Sequence, residues 1–119
     1  MASYELSAFD RRFQSISLVG AIEQQGPYTL NVGYWLRDPN QLMQWPELVN
    51  GNPRQDFLWE HTCYEIFIGV HGEDFYREIN LSPSQAWQVY QFEEYRYPED
   101  MPPQTANDIE LNQLKRTHY

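Results

Sequence analysis

Cysteine is almost missing from this sequence. Cys63 stands alone, so no intrachain disulfide can form and one thiol is left free. Lysine is nearly missing too: Lys115 is the single example, and the other bases are arginines. Asp and Glu number 17 against 8 Lys and Arg, for a formal net charge of -9. A surface of that sign repels phosphate backbones and anionic bilayers, which argues against nucleic-acid and membrane partners. No apolar run approaches the ~20 residues that a membrane-spanning helix needs. The first residues carry no basic, apolar leader pattern. Together with the free thiol, this predicts a cytoplasmic protein. Internal repeats and low-complexity tracts are also lacking.

Aromatic residues, by contrast, are abundant. They make up 16% of the chain, with 9 Tyr and 4 Trp. Large rings supply much buried area per residue, so one β-domain with a single core is expected over residues 1–119. The mean hydropathy of -0.72 requires extensive polar loops.

The strongest fold signal runs from Leu58 to Arg96. Three apolar-aromatic segments occupy it: Thr62 to Ile68, Phe75 to Leu81, and Ala86 to Phe92. Gly, Asp, Ser and Pro separate them at Gly69 to Asp74 and Ser82 to Gln85. Each segment is too short for a typical helix and rich in β-branched and aromatic residues. The pattern predicts three consecutive antiparallel strands. Alternation sorts their side chains into two faces. Tyr64, Ile66, Ile68, Phe75, Arg77, Ile79, Leu81, Trp87 and Val89 form a mainly aliphatic face, which suits a core. Cys63, Glu65, Phe67, Tyr76, Glu78, Asn80, Gln88, Tyr90 and Phe92 form the other. That second face mixes acids, amides and rings, as a face holding a polar ligand would. It equally suits a second packed layer with hydrogen-bonded acids.

Elsewhere the signals are weaker. Met1 to Arg12 reads as a poor core candidate. Ser15 to Ile22 reads as a strand broken near Gly20, and Tyr28 to Leu36 as the next, joined through a turn at Gln24 to Pro27. The Pro- and Asn-rich stretch from Arg37 to Phe57 reads as a long connection with a helical turn at Gln41 to Gln44. Such connections often border binding sites. After Arg96 the prolines multiply, and Ile109 to Leu114 reads as a marginal strand or turn.

Glu65 and Glu78 fall on one face of adjacent strands. Paired carboxylates perform glycosidic acid-base chemistry only where they flank a cleft. Nothing in the pattern places them at one, and Arg77, Tyr90 and Arg96 are available to pair with them, so no enzymatic activity is expected. His61, Cys63 and His71 match no closed zinc spacing. Calcium at Glu73 and Asp74 and haem through Met43, Met101, His61 or His71 lack a supporting motif, and Met1 and His118 sit at the chain ends. No metal or cofactor is therefore expected. Sugar binding needs stacking rings and convergent polar groups. Trp35, Trp45, Trp59 and Trp87 are candidate platforms. The candidate ligand-binding set is Trp59, Glu65, Glu78, Asn80, Tyr90 and Arg96, with Gln88 beside it.

The run LWEHTCYEIFIG followed by FYREINLSPSQAWQVYQFEEYR resembles the DOMON-like domains of uncharacterised bacterial proteins. More distantly it is similar to family 9 carbohydrate-binding modules. Trp59, the Glu65–Ile68 run, Tyr76 to Asn80, Ser82 to Ser84 and Trp87 carry the likeness. The resemblance implies an all-β sandwich of jelly-roll type and a non-catalytic module that binds carbohydrate, with haem taken by some members. Relatives continue with further strands, so the likeness also implies a domain shortened after about residue 97. Five strands would leave an apolar face and strand edges open. A homodimer using the Tyr97 to Tyr119 region would cover them. The alternative function is a structural or protein-interaction domain that dimerises through its aromatic face.

Overall fold

The computed structural model describes residues 2–117; Met1, His118 and Tyr119, and with them the chain-end haem candidates Met1 and His118, lie outside the described residues. The chain is all-β, with two three-stranded antiparallel sheets, in keeping with a β-sandwich. The first sheet has the order β1 (Ala2–Leu6), β2 (Ser17–Gln25), β3 (Thr29–Arg37). The second has the order β4 (Tyr64–Gly69), β5 (Tyr76–Leu81), β6 (Trp87–Phe92). Two compact units divide the chain, Met1–Met43 and Gln44–Tyr119, and each holds one sheet.

In the first unit, β2 pairs with β3 over nine residues, from Ser17↔Arg37 to Gln25↔Thr29. The strand does not break at Gly20. There the ring of Tyr34, the cross-strand partner, lies over the glycine, 3.3 Å from where a Cβ would stand. At Gly33 the Trp35 ring comes closer still, 2.6 Å from that position. Each glycine thus lets an aromatic ring lie down on the sheet and fill the space that a side chain would have taken. The turn is at residues 26–28, with Gly26 at φ 69. Residues 2–6, which read as a poor core candidate, pair with β2 as a further strand. Its short sequence alternates, with Ala2, Tyr4 and Leu6 on one face, but every residue of the strand is exposed, so it adds no buried core. The helical turn expected at Gln41 to Gln44 is not formed. Instead the Asp38 carboxylate accepts from the Leu42 and Met43 amides at 3.1 and 2.8 Å, an arrangement that competes with helix.

In the second unit the three expected strands form the expected meander. The register Tyr64↔Leu81↔Trp87, Ile66↔Ile79↔Val89 puts the aliphatic residues on one face. The register Glu65↔Asn80↔Gln88, Phe67↔Glu78↔Tyr90 puts the acids, amides and rings on the other. Burial follows strand position more than face. Val89, Leu81 and Trp87 are buried, but Tyr64, Ile66, Ile68 and Ile79 are only half-buried. The polar face buries Asn80, Gln88, Tyr90 and Phe92.

The reason is that β6 has both edges closed. Beyond β5, its far edge pairs with two irregular segments. The Trp87 amide donates to the Pro53 carbonyl and the Gln55 amide to the Trp87 carbonyl, at 3.1 and 2.9 Å. The Ala106 amide donates to Val89 and the Gln91 amide to Gln104, at 2.9 and 2.8 Å. β4 lies at the sheet's edge, and edge residues lose less area to water. Ile109 to Leu114 forms neither strand nor helical turn. Side chains hold this end of the chain in place: Asn52 bonds Leu114 at both its amide and carbonyl, and the Gln85 side chain accepts from the Arg116 amide at 3.0 Å.

Candidate functional site

The acid-and-ring face of the second sheet divides into a covered half and an open half. The covered half lies over β6. A left-handed residue, Phe57 (φ 64), opens the 3-10 turn Leu58–Glu60, which packs against β5. Trp59 meets Tyr90 edge-on at 5.7 Å between ring centroids, and Phe57 meets Trp59 at 5.2 Å. The Tyr90 hydroxyl donates to Asp56 Oδ1 at 2.8 Å, and the Gln88 amide donates to the same oxygen at 3.3 Å. Burial, the Asp56 bond and the Asp56 charge raise the Tyr90 pKa, so the phenol stays protonated. Tyr90 is fully buried and Trp59 half-buried. Both belong to the packing over β6, and Tyr90 cannot meet a ligand directly.

Arg54 completes this covered half. Its guanidinium donates to Gln88 Oε1 and Asn107 Oδ1, both at 2.8 Å, and to the Ala106 and Val89 carbonyls at 2.6 and 3.3 Å. It also lies 5.0 Å from the Trp87 ring centre. Trp87 donates its indole N–H to the Asn52 carbonyl at 3.0 Å and is buried, so it is a core residue and not a platform. Trp45 lies beside Arg116, 5.9 Å from ring centre to guanidinium. Trp35, over Gly33, belongs to the first sheet.

The open half lies over β4 and the middle of β5. Glu65 is exposed, and Phe67 keeps 59% of its surface in water. Phe67 continues into a column of rings, with Tyr76 at 6.2 Å and Phe92 stacked on Tyr76 at 5.0 Å. Glu78 is half-buried between them. Burial and the nearby Glu65 charge push its carboxyl up, against the opposing pull of Asn80 and Arg96. Among the described residues the ion pairs are Arg12–Asp10 and Arg77–Asp108, so neither Glu65 nor Glu78 has a salt-bridge partner. Arg96 sits at φ 54, with its amide donating to the Tyr76 hydroxyl at 3.0 Å and its guanidinium 5.1 Å from the Tyr95 ring.

Asn80 lies between the two halves. It is completely buried, and neither its Nδ2 nor its Oδ1 makes a hydrogen bond of good geometry within the protein. Its closeness to Glu78 is enough to act on that carboxyl. A buried amide without partners costs about 1–3 kcal/mol, and such groups are rare unless something else satisfies them.

Of the six residues expected at the site, Glu65, Glu78 and Asn80 therefore come together on one face, with Arg96 near enough to Glu78 to act on its charge. Trp59 and Tyr90 form the packed cover beside them. Sequence reasoning did not single out Arg54, Asp56 or the exposed ring of Phe67 for the site. Arg54 and Asp56 lie in a stretch without periodicity, and only tertiary packing brings them to β6. Phe67 carried a usable signal: it alternates with Glu65 on the site face of an edge strand.

A shallow depression of about 180 Å³ lies elsewhere in the second unit, lined by Phe75, Arg77, Gln91, Phe92, Glu93, Pro98 and Gln104. Its one cation, Arg77, is already held by Asp108 at 2.9 Å. The pair of unneutralised carboxylates beside an open ring offers more to a ligand. Cys63 stands near the same acids. Burial first, then the Glu65 and Glu78 charges, push its thiol up to about 12, which keeps it protonated and unreactive at neutral pH. Among the described residues no group of three or more His, Cys, Asp or Glu is placed to hold a metal ion, and no helix is long and apolar enough to cross a membrane. Comparison with protein-family models, curated proteins and solved structures returns no match.

Proposed function

We propose that the second sheet is a non-catalytic binding module whose open half, at Glu65, Phe67 and Glu78, takes a small polar ligand of the carbohydrate class. The observation that carries this reading is an exposed ring flanked by two carboxylates without salt-bridge partners. A sugar lays its C–H surface on an aromatic face, and carboxylates accept from its hydroxyls. The carbohydrate class and the jelly-roll connectivity are what the DOMON-like resemblance of Leu58 to Arg96 implies. A cytoplasmic setting fits the reduced, high-pKa Cys63 thiol.

The test is a titration with a panel of mono- and disaccharides, followed by amide chemical shifts. Shifts should cluster at residues 65–67 and 76–80. Phe67→Ala should remove the response while leaving the unfolding midpoint within a degree or two, since the ring is exposed. A panel without any response would overturn the reading.

A specific observation also favours a second reading, an interaction domain that dimerises. In the first sheet, Tyr4, Leu6 and Leu30 keep 57%, 46% and 47% of their surface in water on the face that carries Leu18, Ile22, Val32 and Leu36. Exposed apolar surface of this kind is often covered by a second copy. Light scattering across a dilution series distinguishes the two readings, with Leu6→Glu as the variant that should dissociate a dimer.

A further inference from the structure

Two features of the open half do not follow from a neutral sugar. The first is charge. Glu65 and Glu78 stand on adjacent strands of one face, diagonal to each other across the Glu65↔Asn80 and Phe67↔Glu78 pairs. Diagonal neighbours in a sheet are ~7–8 Å apart, a distance that one small cation can bridge. Among the described residues no salt bridge neutralises either acid, and the chain as a whole carries -9. The second is Asn80. Its amide is wholly buried, rises from the same face directly opposite Glu65, and makes no hydrogen bond of good geometry at either polar atom, though it lies near enough to Glu78 to act on that carboxyl. Mutual repulsion of the acids and an unsatisfied amide both cost stability in the empty protein. An ammonium group would relieve the repulsion, since it carries one positive charge and three N–H donors for surrounding oxygens.

We propose that Glu65 and Glu78 receive the ammonium group of an amino sugar, with the sugar ring over Phe67. This rests on the carbohydrate reading above and narrows it to a cationic ligand. Glu65 and Glu78 touch the ammonium. Asn80 lies beneath them, wholly buried and near enough to Glu78 to act on its carboxyl. The ring column Phe67–Tyr76–Phe92 supplies the flat apolar wall for the sugar. The acidic surface raises the local concentration of any cation and speeds its arrival.

Four probes separate this inference from the reading it rests on: glucosamine, glucose, N-acetylglucosamine and methylamine. Each is titrated into the full chain and followed by amide shifts at residues 65–67 and 76–80. The expected result is glucosamine binding at least about tenfold tighter than glucose and N-acetylglucosamine, with that advantage shrinking in high salt. Glu65→Gln and Glu78→Gln should each reduce the advantage of glucosamine over glucose. Their unfolding midpoints, measured alongside, establish that both variants are folded. Equal affinity for glucose and glucosamine would overturn the ammonium site and leave the carbohydrate reading standing. Methylamine binding as tightly as glucosamine would overturn the amino-sugar assignment, because the ring would then contribute nothing. Silence from all four would overturn both.

Discussion

The two sheets have the same number of strands, and the first has the two longest, yet it buries far less. Its nine-residue hairpin leaves only Gly20 and Ala21 buried. The six-residue strand β6 buries every residue except Gln91. A longer ladder of backbone hydrogen bonds therefore does not by itself make a core. What distinguishes β6 is that irregular chain closes its second edge and the Arg54 and Asp56 side chains close over one face. In the first sheet, rings lie down over glycines, which covers backbone but leaves the rings themselves wet: Trp35 keeps 57% of its surface in water.

The sharpest way to break this contrast is to remove the side chain that closes β6. Arg54→Ala strips hydrogen bonds from Gln88, Asn107 and two carbonyls and a cation from the Trp87 ring. The expected loss is about 3 kcal/mol, in line with removing one partner of a part-buried charged network. Denaturant unfolding should show it, and hydrogen exchange at β6 should rise toward that of β1. If β6 stays protected, edge pairing alone maintains the core.

A smaller step sharpens the same point. Tyr90→Phe keeps the ring against Trp59 and deletes one hydrogen bond to Asp56. The loss should be about 1–2 kcal/mol, the cost of leaving a part-buried acceptor short of a donor. A midpoint unchanged from wild type would show that water replaces the phenol.

For the first sheet, Gly33→Ala is the informative change. The added methyl meets the Trp35 ring at 2.6 Å, so the ring must lift. Because that ring end is free to move, the cost should be only about 1 kcal/mol. Tryptophan emission should shift to the red as the ring leaves the sheet. A larger loss would mean that this sheet depends on its rings as much as the second depends on Arg54.

The smallest effect is expected at Glu78, and its sign depends on pH. The folded carboxyl is raised above the ordinary glutamate value of 4.5, first by burial and then by Glu65. The folded state therefore holds that proton more tightly than the unfolded state. The group costs nothing below the unfolded pKa, and its penalty is complete above the folded one. Glu78→Gln should raise the unfolding midpoint at pH 7, and the gain should fade on acidification to about pH 4. A gain that persists in acid would point to packing and not to charge.

Much of the second sheet was legible before any coordinates. Period-2 alternation with turn residues at Gly69 to Asp74 and Ser82 to Gln85 determines three strands. The same alternation places Glu65, Glu78 and Asn80 on one face, because side-chain direction in a strand depends on parity alone. The all-β class follows from the same pattern. Tertiary structure decided the rest. β1 alternates over only five residues and is exposed throughout, so it is its pairing with β2 that makes it a strand. Gly20 looks like a break in sequence, and only the cross-strand ring of Tyr34 shows why the strand continues. Which half of the site face is open could not be read locally. Arg54 and Asp56 are more than thirty residues from the β6 side chains they bind, and nothing in a loop of Asn and Pro encodes that meeting. Local sequence fixes where a strand's side chains point. Contacts between distant segments decide which of those side chains water, or a ligand, can reach.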